Sequence, residues 1–266
     1  REFAHPQLER ELKWDLCKAE WIADHLREIT DVARRALLQE VLHDYRALQP
    51  SLRAERQSPI HNDVNDYNVL VAADANGSPR ITGLLDFGDL TTGPVVAEIA
   101  IAAAYVALDR DDPMQAIAAL VAGYHDVSPL ARAQLALIWP LVRTRLAVSV
   151  VNSAMMQRSR PDDAYVVVSE APAWRFLELS RSLSASEVLA RLCVACGLPL
   201  SPAAGRVTRW LAGARGTFAP IVRADLSAAL VGSLAALDSG VPRDPFHLTG
   251  EEAGAMGGEF GPESIW

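Results

Sequence analysis

A chain of 266 residues, half of them hydrophobic, 22% charged and 6% aromatic, can bury one large core or two small ones, which excludes disorder, a collagen-like fibre and a small disulfide scaffold. Its 25 lysines and arginines against 33 aspartates and glutamates leave a net charge of −8, which repels nucleic acid and anionic membrane surfaces and suits a small cationic partner. Cys17, Cys193 and Cys196 form no disulfide framework, and no basic segment runs into an apolar stretch near residue 1, so a cytoplasmic setting is expected.

From residue 7 to residue 48 the apolar residues fall at helical spacing, through Leu8, Leu12, Leu16, Ile22, Leu26 and Ile29 and then Val32, Leu38, Val41, Leu42 and Tyr45. Two amphipathic helices are predicted, divided at the cap residues Thr30 and Asp31 and closed by Pro50. Short apolar runs then appear, Val69 to Val71 and Ile81 to Leu85, around the turn residues Asp74, Asn76, Gly77, Ser78 and Pro79; this predicts a hairpin. Pro94 suits a first helical position, and Val95 to Leu108 is apolar nearly all round, a buried helix too short to span a membrane. Asp112, Pro113 and Gln115 open another helix. A long one is predicted from Ser128 and Pro129 to about Arg158, kinked at Pro140. Tyr165 to Val168 has strand propensity, whereas Pro172, Trp174 and Leu177 favour helix. A helical stretch to Cys196 and a short one over Val207 to Leu211 follow, and from about Ser239 glycine, proline and acidic residues read as a linker. The expected division is 1–183, a helical extension over 184–213, and 214–266 as a linker or the start of a further domain. Because the chain opens at Arg1 and closes at Trp266 in a glycine-rich tail, it is expected to be part of something longer.

The chemistry concentrates in His61-Asn62-Asp63-Val64-Asn65-Asp66-Tyr67-Asn68, followed by the hairpin and by Leu85-Asp86-Phe87-Gly88-Asp89. The hairpin carries Asn68 and Asp86 to the same end. An amide oxygen and a carboxylate that leave room for water and phosphate are donors for a nucleotide-bound Mg²⁺, and Asp63 is then placed to take the proton of an attacking hydroxyl. Taken alone, the first motif also reads as a polar loop whose Asn and Asp side chains cap local turns. An apolar strand on each side, the turn and the Asp-Phe-Gly ending within thirty residues favour chemistry.

These residues resemble the aminoglycoside phosphotransferase and choline kinase-like family of the protein-kinase-like fold. Asn65 to Leu70, Gly83 to Asp89 and Glu98 to Ile101 are most similar to its hydroxylysine kinase branch, and to bacterial fusions of such a kinase with a class III aminotransferase-like, pyridoxal-phosphate-dependent domain. The resemblance covers about residues 5 to 180. It implies an α+β, mostly α, fold in which this chain supplies the helical C-terminal lobe with a short β-hairpin at the active site. The implied activity is phosphoryl transfer from ATP or GTP, with Mg²⁺, to the hydroxyl of a small cationic amino alcohol or hydroxy-amino acid. Asp63 is implied as the catalytic base, His61 as its support, and Asn68 and Asp86 as Mg²⁺ ligands. Glu98 either braces the loop or pairs with an arginine. Asp89 either adds negative charge near the metal or the substrate amine, or caps the turn before Pro94.

Two departures stand out. Asn65 occupies the position where protein kinases often carry a lysine, so another group must neutralise the transferring phosphoryl. No glycine precedes Gly77, and the only lysines are Lys13 and Lys18, so the strand-rich lobe that grips nucleotide phosphates is expected to lie outside this chain. By itself the chain is expected to be nearly inactive. Two other readings are a non-catalytic kinase-like module and a segment of a protein whose main activity is that of a linked aminotransferase-like domain. Cys193 and Cys196 read as buried side chains, the glycines from 254 to 261 as linker, and Trp14-Asp15 as core or as the wall of a substrate cleft.

Overall fold

Leu8, Leu16, Ala19 and Ile22 are all buried, yet the segment that carries them is not one helix. In the computed structural model, which describes residues 5–159 and 170–199, the chain runs through 3₁₀ turns at Pro6–Glu9, Leu16–Trp21 and Leu26–Glu28, with a single α turn, α1 (Ile22–His25). The Asp15 carboxylate accepts the Cys17 N–H, and Lys18 takes non-helical angles, so no continuous ladder forms. A spacing of three to four residues fits 3₁₀ turns as well as an α-helix. At Asp31 the expected start is present: its carboxylate accepts the N–H groups of Ala33 and Arg34 at 2.8 and 3.0 Å and opens α2 (Val32–Ala54). Contrary to expectation, Pro50 does not close α2. Its missing N–H forfeits one bond, and buried Leu48 and Leu52 hold the last turn to the core.

Two antiparallel pairs follow: β1 (Gln57–Ile60) with β4 (Thr91–Pro94), and β2 (Val69–Ala73) with β3 (Pro79–Leu84). The second is the predicted hairpin. Its turn is held by Asp74, whose carboxylate accepts the N–H groups of Asn76 and Ser78, and by Gly77 at φ +80°. Pro94 ends β4 with extended angles, so it caps α3 (Val95–Val106) rather than starting it.

Asp112 caps α4 (Pro113–Val127) through the Gln115 N–H, as the sequence indicates. The long helix begins later than expected, as α5 (Arg132–Ser159), because Ser128 ends α4 and the Leu130 N–H is taken by His125 Nδ1. α5 runs through Pro140, and α2, α3, α6 (Glu170–Ser180) and α7 (Ala185–Ala195) all pack on it. By length and apolar composition α5 passes as a membrane span, but most of its apolar window is buried, as in the core helix of a globular fold. Tyr165 to Val168 and everything expected beyond residue 199 lie outside the described residues. Cys193 is buried and Cys196 only partly so.

Because α5 is the hub, Leu141→Ala, at 0% exposure, is expected to lower stability by about 2–5 kcal/mol. Val71→Ala on the exposed hairpin, at 60% exposure, should shift it by no more than about 0.5 kcal/mol. Urea unfolding midpoints of the two variants test this contrast.

Candidate active site

The loop between β1 and β2 turns sharply at Asn62, which is fully buried and held at φ +67°, a left-handed conformation uncommon outside glycine. Glu98, in the first turn of α3, fixes it there by accepting the Asn62 N–H at 2.8 Å. Burial raises the Glu98 carboxyl above the usual glutamate range, against the opposing pull of the Asn62 N–H. Among the described residues Glu98 pairs with no arginine, so its contact with the loop is through the backbone. His61 ties the loop to the hairpin. Its Nε2–H donates to the Leu85 carbonyl at 2.8 Å, Nδ1 accepts the Asp63 N–H at 3.3 Å, and the ring stands edge-on to Phe87.

Asp63 is gripped on both oxygens. Oδ2 accepts from the side-chain amides of Asn65 and Asn68, at 3.0 and 3.2 Å. Oδ1 accepts from Arg145 Nη2 at 3.0 Å and from the Tyr105 hydroxyl at 3.4 Å. Asn65 also caps the 3₁₀ turn Asp66–Asn68 by accepting the N–H groups of Tyr67 and Asn68, so the residue standing where many kinases have a lysine organises the loop.

The hairpin closes the other side. Its ladder continues past β2 through a Leu85 N–H to Asn68 carbonyl bond of 2.8 Å, which places Asn68 and Asp86 at one end. Asp86 is itself left-handed, at φ +58°, with Oδ1 accepting the Gly88 N–H; a Cβ on residue 88 would lie 2.8 Å from that oxygen and would push the carboxylate aside. Asp86, and not Asp89, therefore caps this turn. Asp89 is pushed above the usual aspartate range by burial, then by Asp63, with Arg145 and Arg10 acting in the opposite sense.

Among the described residues no three His, Cys, Asp or Glu side chains gather as a metal site. The oxygen donors Asn68 and Asp86 do suit Mg²⁺: the Asn68 amide nitrogen is committed to Asp63, which leaves its oxygen as the ligand atom, and the Asp86 carboxylate is exposed. A cation held by only two protein groups takes the rest of its shell from phosphate and water.

Sequence reasoning did not find Arg145, Tyr105 or Arg10. Arg145, on α5, lies under the site at 2% exposure, between the rings of Trp14 and Tyr105 at 4.7 and 5.3 Å, so Trp14 lines the site. Arg10 donates to the Gly88 carbonyl. The one signal was a pair of arginines, Arg143 and Arg145, inside the apolar run Leu141 to Val151, where a buried charge demands a partner; Arg143 finds Asp44 and Arg145 finds Asp63. The two lysines are engaged elsewhere, Lys13 over the Trp21 ring and Lys18 with Asp15.

With strands framing a loop that presents a held aspartate, the site has the arrangement of a kinase-like phosphotransferase. Residues 2–138 match the phosphotransferase enzyme family, and the chain belongs to it. Among curated proteins it is similar to hydroxylysine kinase from Mus musculus, 26% identical over 187 residues, and to those from Xenopus laevis and Bos taurus, each 25% identical over 189 and 186 residues. Each match takes in 66% of this chain and 50% of the relative, so the chain spans about half the length of these relatives.

Protonating Glu98 relieves the cost of its buried charge. Relative to Glu98→Gln, which does not titrate, the protein should therefore lose stability as pH rises above the ordinary glutamate value of 4.5 through the raised value, and regain it on acidification. Thermal unfolding of both proteins across that range checks the sign. Glu98→Ala, which strands the buried Asn62 N–H, should cost about 1–3 kcal/mol at acidic pH and less once Glu98 of the native protein is ionised.

Proposed function

We propose that this chain is the helical C-terminal lobe of a nucleotide-dependent kinase that phosphorylates the hydroxyl of a small amino alcohol or hydroxy-amino acid of the hydroxylysine type. The observation that carries this reading is Asp63, held on both oxygens at the mouth of a hairpin whose two ends present Asn68 and Asp86. Asp63 orients the acceptor hydroxyl and takes its proton as the oxygen bonds to the γ-phosphorus and the bond to the β–γ bridging oxygen breaks. Asn65 and Asn68 keep the carboxylate in place while this happens, and His61 and Glu98 keep the loop in place. Asn68 and Asp86 would hold Mg²⁺, which would supply neutralisation of the phosphate charge. Asp86 and Asp89 give the mouth the negative charge that an acceptor ammonium needs.

The lobe that grips the nucleotide is assigned to sequence outside this chain, and residues 214–266 to a linker or the start of a further domain, of the aminotransferase-like, pyridoxal-phosphate-dependent kind. Three cysteines at no framework spacing and an acidic composition fit a cytosolic enzyme.

The test is the full-length protein that contains this chain, assayed with Mg²⁺, ATP or GTP, and hydroxylysine, homoserine, ethanolamine and choline. Asp63→Asn, which keeps an acceptor for Arg145, is expected to reduce phosphoryl transfer on the order of 10²-fold or more without unfolding the protein. Undiminished transfer by the folded variant contradicts the assignment of the base.

A further inference from the structure

Arg145 is the least satisfied charged group at the site. Its Nη2 uses both hydrogens, on Asp63 Oδ1 at 3.0 Å and on the Tyr105 hydroxyl at 2.8 Å. Nε and Nη1, with three hydrogens between them, are buried and find no acceptor among the described residues. A donor left unpaired in the interior destabilises the fold, the more so when it is charged. Trp14 and Tyr105 cover the guanidinium, with ring centroids 4.7 and 5.3 Å away, and the unused donors lie in its plane, the plane in which a carboxylate binds.

The two sides of Asp63 differ. Oδ2 faces Asn65 and Asn68, the latter at the end of the hairpin where the nucleotide and its cation are assigned. Oδ1 faces Tyr105 of α3 and Arg145 of α5, on the other side of the base. Around them the charges are mostly negative, from Asp63, Asp86 and Asp89, and Arg10 is turned to the Gly88 carbonyl. An amino alcohol needs only those carboxylates, whereas a zwitterionic amino acid needs a cation as well.

We infer that Arg145 receives the carboxylate of the acceptor: its unused guanidinium donors hold that group while Asp63 takes the proton of the hydroxyl several bonds away. The substrate class narrows to hydroxy-amino acids over amino alcohols, an inference that rests on the phosphotransfer reading above.

The experiment compares kcat/KM of the full-length protein for hydroxylysine and for the diamino alcohol left when its carboxylate is removed, and for homoserine beside aminopropanol. The intact enzyme is expected to prefer at least one carboxylated member by about tenfold or more, a preference that Arg145→Met abolishes and Arg145→Lys keeps in part. Because Arg145 also touches Asp63, both variants are expected to lose kcat on every acceptor, and the ratio between paired acceptors is the diagnostic. Equal use of the paired acceptors by the intact enzyme overturns the inference even if neither variant folds. So does an unchanged ratio in folded Arg145→Met, including the case where only the KM for nucleotide rises and the donors serve a phosphate instead. Transfer without carboxylate preference leaves the kinase reading standing, whereas no transfer to any acceptor overturns both.

Discussion

The site depends on an ion pair between buried Arg145 and partly buried Asp63. A guanidinium at 2% exposure has lost nearly all its water, which costs several kcal/mol. At an effective dielectric near 20 the attraction to a carboxylate at this range returns only about 4 kcal/mol. The pair therefore does little for stability by itself, and the Tyr105 hydroxyl and the two aromatic faces are needed to keep it folded. What it provides is position. A carboxylate fixed by one charged and several neutral donors has few rotamers left, so the proposed base is already oriented.

Around that pair, three elements distant in sequence meet at one loop. α3 contributes Glu98 below the turn and Tyr105 beside Asp63. α5, the helix on which the others pack, contributes Arg145. The hairpin contributes Asn68 and Asp86 through its register. Two of the three non-glycine residues with left-handed backbone, among those described, are Asn62 and Asp86. Both adjoin the proposed chemistry, where locally unfavourable backbone is held by its surroundings.

What was legible in the sequence was local. His61, Asp63, Asn65, Asn68 and Asp86 lie within one loop and one hairpin, and alternating apolar residues with turn chemistry fix their geometry over a few bonds. The helix starts at Asp31 and Asp112 were legible for the same reason. Arg145 was not, because it meets Asp63 across 82 residues and only the packing of α5 brings them together. β4 was invisible because Thr91–Pro94 has no strand pattern of its own and is extended only through pairing with β1. The opening segment was misread because apolar spacing does not separate successive 3₁₀ turns from a continuous helix.

The most direct test of the central claim is a crystal structure of the full-length protein grown with Mn²⁺ and a non-hydrolysable nucleotide, with anomalous scattering used to locate the metal. This account predicts a metal peak bounded by the Asn68 amide oxygen and the Asp86 carboxylate, with Asp63 still on Arg145 and open toward the acceptor. A nucleotide bound with its metal on other residues would contradict it.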